Sequence, residues 1–563
     1  MPHAFCRAAR AALCALPAAV APLAAQTDYR NLDHGRPGRV ADAYVVERYA
    51  LELLAPLGSF ASRKGGALEY GFTPEVEYGI ARNLQLGIGA ALAVARDRPG
   101  RTAATVRAQY NLNTETALPA LGLRLDAHLP LQSGSRAALE AAALLTRTAG
   151  PLRVHVNAAY GSDDAWWTGV ALDRTLPLRS TLVAAELTAS RDAPGAPVDV
   201  AALLGVRRQL TPTLVVDAGV GRGLRRGVGA EWQVTLGLTR AVAMGSGSGA
   251  PAGAAPGRTP GLWEPRDEQT YRAGRFNWEF LRRYPDAARL FNGFDYGHAI
   301  LYERLYTRGG DPVARLEHDQ LAFIVDTLLV HPPALPLAEE AVAPSYARAA
   351  WLAKRVFDWA HVLHRQIYDV YADPRIRDKD AAVARVVAYY QSNRTYALAA
   401  VPKRMELMDG QPYSRVFRTR YPRFNGVIWA YHWLQIGLYD ALLAGASEPE
   451  RGAHVAAALG RFRAMLDDPA VAPREMPLAP GVAPRFTERH PAAAAIFDNL
   501  HMLHDVISDI LISPVVTDRR AAIYAAVARF QDPARDVMTP QEWRDMVHHM
   551  GGVAAMGGPV VTP

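Results

Sequence analysis

Phe357-Asp358-Trp359-Ala360-His361-Val362-Leu363-His364-Arg365-Gln366-Ile367-Tyr368-Asp369 recurs 140 residues later as Phe497-Asp498-Asn499-Leu500-His501-Met502-Leu503-His504-Asp505-Val506-Ile507-Ser508-Asp509. The shared pattern is FDxxHxLHxxIxD. A partial copy, Phe294-Asp295-Tyr296-Gly297-His298, continues to Leu301-Tyr302-Glu303, and a fourth segment runs from Trp429-Ala430-Tyr431-His432 to Leu438-Tyr439-Asp440. Each copy has apolar residues at helical spacing and no internal proline. Four helices therefore offer histidine to a common core, which is how metal sites are built inside helical bundles.

A helix turns about 100° and rises about 1.5 Å per residue, so Asp358, His361 and His364 span roughly 120° of one face. Asp369 returns to that face roughly 16 Å further along the axis, too far to share an ion with Asp358. The expected ligands are His298, His361, His364, His432, His501 and His504, with Asp295, Asp358 and Asp498. Glu303, Asp369, Asp440, Asp505 and Asp509 are expected to orient histidines or to serve a second site. Aligning FDxxH pairs His298 with His361, whereas aligning HxxxxD/E pairs it with His364. The sequence leaves that register open.

Nitrogen and oxygen donors suit iron, manganese, zinc or copper. The rival cofactor is a b-type haem with two axial histidines. No CxxCH is present, so covalent haem attachment is excluded. A buried polar network without any cofactor is the third reading, and it requires every member to find a partner. Asp295/His298, Asp358/His361 and Asp498/His501 resemble the carboxylate-x-x-His pairs of ferritin-like di-metal proteins, with Asp in place of Glu. His364/Asp369, His504/Asp509 and His298/Glu303 resemble the His-x-x-x-x-Asp pair of hemerythrins. These resemblances imply a metal-binding bundle.

The 563-residue chain is too long for a single core, so two or more domains are expected. Its net charge of +7 is carried by scattered arginine with no basic block, which argues against a nucleic-acid partner. Residues 1–25 read as a secretory signal, with Arg7 and Arg10 before a small-residue apolar run. Both cysteines, Cys6 and Cys14, fall inside it, so the mature chain has neither disulfides nor thiolate ligands.

Residues 26–243 contain about twelve alternating runs of roughly ten residues separated by turn residues, the pattern of an outer-membrane barrel. Examples are Leu121-Gly122-Leu123-Arg124-Leu125-Asp126-Ala127 and Trp232-Gln233-Val234-Thr235-Leu236-Gly237-Leu238. A soluble β-sandwich or barrel is the alternative. An even strand number would leave both ends on the periplasmic side. With the signal and the length, this part resembles the outer-membrane barrels of aromatic-degradation gene clusters. That resemblance implies fold and location but no substrate.

Residues 244–267, centred on GSGSGAPAGAAPGRTP at 245–260, read as a flexible linker. Residues 268–563 read as a helical, periplasmic domain. Its helices are expected near 287–307, 315–330, 345–372, 379–400, 422–445, 450–468, 490–512, 517–532 and 539–550, between proline and glycine stops. The expected protein is thus an all-β antiparallel barrel of about twelve strands in outer-membrane lipid, followed by an all-α histidine-rich domain. That domain would bind metal for redox chemistry or metal capture, with a small molecule or a metal ion as the expected substrate. The non-enzymatic alternative is a transport or scaffold protein whose helices plug or anchor the barrel.

Overall fold

The computed structural model describes residues 29–243 and 279–561, apart from several short loop stretches and residues 33–35, 47–49, 309–314 and 335–340. The signal at 1–25 and the linker at 244–267 lie outside the described residues.

Thirteen antiparallel strands form one sheet, and the first, Ala50–Ser62, pairs with the last, Trp232–Ala243, closing it into a barrel. Glu69–Phe72 and Glu75–Ala81 both pair with the same two neighbours, so they share one position and the barrel has twelve staves. The break between them falls at Thr73-Pro74, because proline has no N–H for the ladder. Twelve staves agree with the twelve runs read from the sequence.

The alternation is inside-out relative to a water-soluble barrel. In the strand Ala120–Pro130, Leu123 and Leu125 are 52% and 50% exposed, while Arg124 and Asp126 between them are 2% and 1% exposed. The same apolar-out, polar-in pattern puts Leu172, Leu187, Leu204 and Val220 outside. Inside, charges are paired. Arg107 Nε donates to Asp126 at 2.6 Å, and its NH1 meets Glu75 at 2.7 Å. Arg153 meets Asp173 at 2.6 Å, with His155 Nε2 at 2.8 Å from the same carboxylate.

The segment ahead of the first strand enters this lumen. Val40, Ala41 and Ala43 are buried, and the wall's side chains bond their backbone. Glu186 accepts from the amides of Arg39 and Val40, at 3.0 and 2.6 Å. Asn157 both accepts from Ala41 N and donates to Ala41 O, at 2.7 and 2.9 Å. Thr146 and Gln85 accept from the amides of Ala43 and Val46. The segment has no regular secondary structure of its own, so the barrel wall satisfies its peptide groups, as burial requires. The sequence reading did not foresee it.

The helical part is built on four long helices, numbered here α1 (Pro285–Arg308), α2 (Trp351–Ala372), α3 (Pro422–Ala444) and α4 (Pro491–Ile512). A short helix precedes each: Glu279–Arg283, Pro344–Ala349, Val416–Arg420 and Pro484–Arg489. Proline opens three of the four long helices. It fits the first turn, where no amide partner is needed, and it stops the short helix before it. The helix expected at 345–372 is broken at Ala350, whose backbone leaves the helical region without a proline at the break. Residues 315–328 are helical as expected, but they form two π-helical runs, Arg315–Gln320 and Ile324–Leu328, around a single α turn.

Nearly every residue of α2 and α4 is buried, as in helices apolar on all faces at the centre of a core. Each leads into an outer helix with the same cap: Asp378 accepts from Ala381 N and Asp518 from Ala521 N, both at 2.9 Å. Among the described residues, no helix is long and apolar enough to cross a membrane. Arg348, in the short helix before α2, donates to Thr148 O at 3.3 Å and lies 3.8 Å from Glu115, at the barrel end that carries the tight turns and both ends of the sheet.

Candidate metal centre

The four helix pairs superimpose in sequence once the long helices are aligned at their first residues, Pro285, Trp351, Pro422 and Pro491. Asp295, His361, His432 and His501 then share one position. His298, His364, Gln435 and His504 share the next, three residues on. Glu303, Asp369, Asp440 and Asp509 share a third, five residues beyond that. His298 therefore corresponds to His364, which settles the open register. Positions three apart lie on adjacent turns of one face, so each helix points two polar side chains inward.

The third position has a different task from the one expected. Glu303 accepts from the amides of Ser345 and Tyr346, at 3.0 and 2.8 Å, opening the short helix before α2. Asp369 on α2 returns the contact to Phe280 N at 2.8 Å, before α1. Asp440 on α3 accepts from Phe486 N at 2.7 Å, before α4, and Asp509 on α4 accepts from Phe417 N at 2.6 Å, before α3. The helices are thus laced in two reciprocal pairs, by carboxylates at helix N-termini, where the dipole favours negative charge. These four residues cap helices.

Asp358 and Asp498 also lie outside the converging ligand atoms. Asp358 is ion-paired with Lys354. Asp498 accepts from Ala479 N at 2.9 Å and from Trp543 Nε1 at 2.8 Å. Both sit one turn, about 4.5 Å, before the first inward histidine of their helix, which carries them off the meeting point. Burial raises Asp498 to about 8. Asp505 accepts from Trp429 Nε1 at 2.9 Å, and burial raises it to about 7.

What does converge is histidine. His298 of α1, His432 of α3 and His504 of α4 each bring a ligand nitrogen to within 4.8 Å of the others. His504 Nδ1 is 3.4 Å from His432 Nε2. The other three histidines line the same core. The rings of His501 and His432 stack at 4.0 Å, and His501 Nε2 is 3.1 Å from Gln435 Oε1. His361 Nδ1 is 3.4 Å from Asp295, which is itself ion-paired with Arg365. His364 Nδ1 is hydrogen-bonded to the Tyr439 hydroxyl. Aromatic rings pack directly on the imidazoles: Phe294 on His298 at 4.0 Å, Phe357 on His504 at 4.2 Å and Phe497 on His364 at 3.7 Å.

All six histidines are buried. Burial, with mutual repulsion, holds His298, His364, His432 and His504 well below the usual imidazole range. Burial lowers His361 and takes His501 down to about 3. They are neutral imidazoles, the form that binds metal. Several of their nitrogens lack a hydrogen-bond partner: both on His298, Nδ1 of His432 and His501, and Nε2 of His364 and His504. A buried polar group left unmet costs about 1–3 kcal/mol, so this set is expensive as it stands.

The sequence reading missed Gln435, although its distance from Asp440 equals that of His364 from Asp369. It also gave no role to Tyr439, or to Phe294 and Phe357, the first residue of the repeated motif.

No protein-family model matches the chain, and no curated protein matches it. Solved outer-membrane barrels match about a third of the chain. A KdgM porin is 11% identical, covers 34% of this chain and 98% of its own, and gives a TM-score of 0.26. An outer membrane channel from Pseudomonas putida is 11% identical over 37% of this chain and 99% of its own, with a TM-score of 0.29. Outer membrane phospholipase A from Escherichia coli is 12% identical over 35% and 97%, at 0.25. Likeness at these levels adds nothing to what the strand pairing already shows.

Proposed function

We propose that the helical domain is a transition-metal-binding module held at the periplasmic end of an outer-membrane barrel. The observation that carries this reading is the meeting of the buried His298, His432 and His504, each of which also keeps at least one nitrogen without a hydrogen-bond partner. Tetrahedral zinc, with Zn–N of about 2.0–2.1 Å, needs ligand atoms about 3.3–3.4 Å apart, close to the His432–His504 spacing. Three neutral histidines suit zinc, copper, iron or manganese. His361, His364, His501 and Asp295 surround that group and would tune or extend it.

The ring packing favours an ion over haem b. Phe294, Phe357 and Phe497 sit directly on the imidazoles, where a porphyrin would need an open slot. The membrane assignment rests on the barrel's apolar outer face and ionic lumen. The periplasmic assignment rests on Arg348 meeting the barrel at its tight-turn end, the end that faces the periplasm in such barrels.

Metal analysis of the full-length protein in detergent, without added metal, tests the module. About one tightly held ion per chain is expected. His432→Ala and His504→Ala should lose it, and His454→Ala, on the outer helix Glu448–Asp467, should keep it. Equal metal content in all three variants would leave a purely structural polar network.

A further inference from the structure

A cavity of about 780 Å³ opens between the π-helical stretch 315–328, the first half of α3 and the chain near 465–475. Its walls are apolar, with Leu321, Val325, Val427 and Met465 around the indole of Trp429. Four arginines line it, Arg415, Arg418, Arg423 and Arg474, against two carboxylates, Asp326 and Glu475. Arg418 lies over the Trp429 ring at 5.1 Å and pairs with Asp409 at 2.9 Å, which Arg415 also reaches at 3.3 Å. Among the described residues, Arg423 and Arg474 form no ion pair.

Two features set this cavity apart from a solvated arginine surface. Its positive charge is in excess and borders an apolar chamber whose volume suits a small organic molecule. One wall is also the π-helical stretch, a wider and less stable winding that recurs at functional sites. Glu317, inside that stretch, accepts from the amides of Arg423 and Phe424 and ties the wall to the start of α3. The wall is therefore held in place against the arginines.

We propose that this cavity binds an organic anion with an apolar body, a carboxylate or sulfonate carried on a ring or short alkyl chain. Guanidinium forks from Arg423 and Arg474 take the anionic group, because they match two oxygens at once and neither is committed to an ion pair among the described residues, while Asp326 and Glu475 on the same wall leave the four arginines in excess. Leu321, Val325 and Val427 take the body beside Trp429. A neutral molecule forgoes the arginines, and a cation is repelled by them. The floor adjoins the histidine core, since Trp429 Nε1 is bonded to Asp505, next to His504. The proposal itself rests on the arginines and the chamber and stands without the metal.

The test is isothermal titration of full-length protein in detergent with benzoate, hexanoate and naphthalenesulfonate, with benzyl alcohol as the neutral comparison. Saturable binding of at least one anion is expected, with benzyl alcohol weaker by about tenfold or more. Arg423→Gln with Arg474→Gln should weaken the anion by about tenfold or more, since charge-assisted forks are lost. Val427→Phe, which narrows the chamber and leaves the arginines, should weaken the bulkiest anion most. Circular dichroism reports whether each variant is folded. Failure of all three anions to bind, equal binding of benzyl alcohol, or unchanged binding in the folded double variant would overturn the proposal.

Discussion

His504 Nδ1 stands 3.4 Å from His432 Nε2, although the two residues lie on different helices 72 positions apart in the chain. Nothing but the packing of α3 on α4 brings them to that spacing, and it is the edge length of a tetrahedral nitrogen site. A metal bound there should stabilise the fold by mass action. At about 100 times Kd the gain is about 2.7 kcal/mol. In a domain of this size that is a rise in Tm of roughly 4–5 °C. Adding and then chelating zinc during thermal melts checks this. The shift should vanish in His432→Ala and His504→Ala and persist in His454→Ala.

Asp440 accepts the first amides of the helix before α4, and burial raises its carboxyl to about 6. In the unfolded chain an aspartate titrates near 3.9. The folded protein therefore holds this proton more tightly. The associated stability is fully present below about pH 4 and is lost as pH rises through about 6. Asp440→Asn removes the ionisation and keeps an acceptor. Its stability relative to the parent should rise between about pH 4 and pH 7. Asp440→Ala also loses the cap, at a cost of about 1–2 kcal/mol relative to Asp440→Asn at any pH. Denaturant midpoints across that range measure both, and a pH-independent difference between Asn and parent would contradict the assignment.

The lumen segment makes a prediction about conductance. Glu186 and Asn157 hold Arg39, Val40 and Ala41 by their backbones across the barrel interior. Deleting residues 29–46 should give larger unitary currents in planar bilayers than the parent. Glu186→Gln combined with Asn157→Ala should fall between the two, because it loosens the same contacts. Identical currents in all three would mean that the segment does not limit the pore.

How much of this was legible in the sequence depends on how local the signal is. The twelve staves were readable because period-two alternation is written strand by strand, as in Leu123-Arg124-Leu125-Asp126. The histidine core was readable because each helix repeats its inward pair. The carboxylates were misread because Asp440 and Asp509 share a face with histidines but are spent on amides of other segments, and no spacing rule marks such a partner. Asp358 and Asp498 were misread because the sequence gives their angle on the helix but not where the helices cross. The lumen segment left no signal, since the bonds that hold it to the wall run to distant strands. The tie between the π-helical stretch and α3 through Glu317 is likewise a contact far away in sequence.

The helical part has its own core, running from Phe280 to Met556. Residues 279–561 expressed without the barrel should therefore be soluble and give a mainly helical circular dichroism spectrum. Arg348 would lose only its surface contacts with Thr148 and Glu115, which are worth about 1 kcal/mol or less. An aggregated or unstructured product, with zinc supplied, would show that the domain needs the barrel to fold.

X-ray absorption at the edge of the bound metal in the full-length protein tests the central claim most directly. Coordination by His298, His432 and His504 predicts a nearest shell of nitrogen and oxygen at about 2.0–2.1 Å for zinc. Imidazole scattering should appear beyond it and weaken in His432→Ala. A shell of oxygen alone, or imidazole scattering unchanged in that variant, would contradict it.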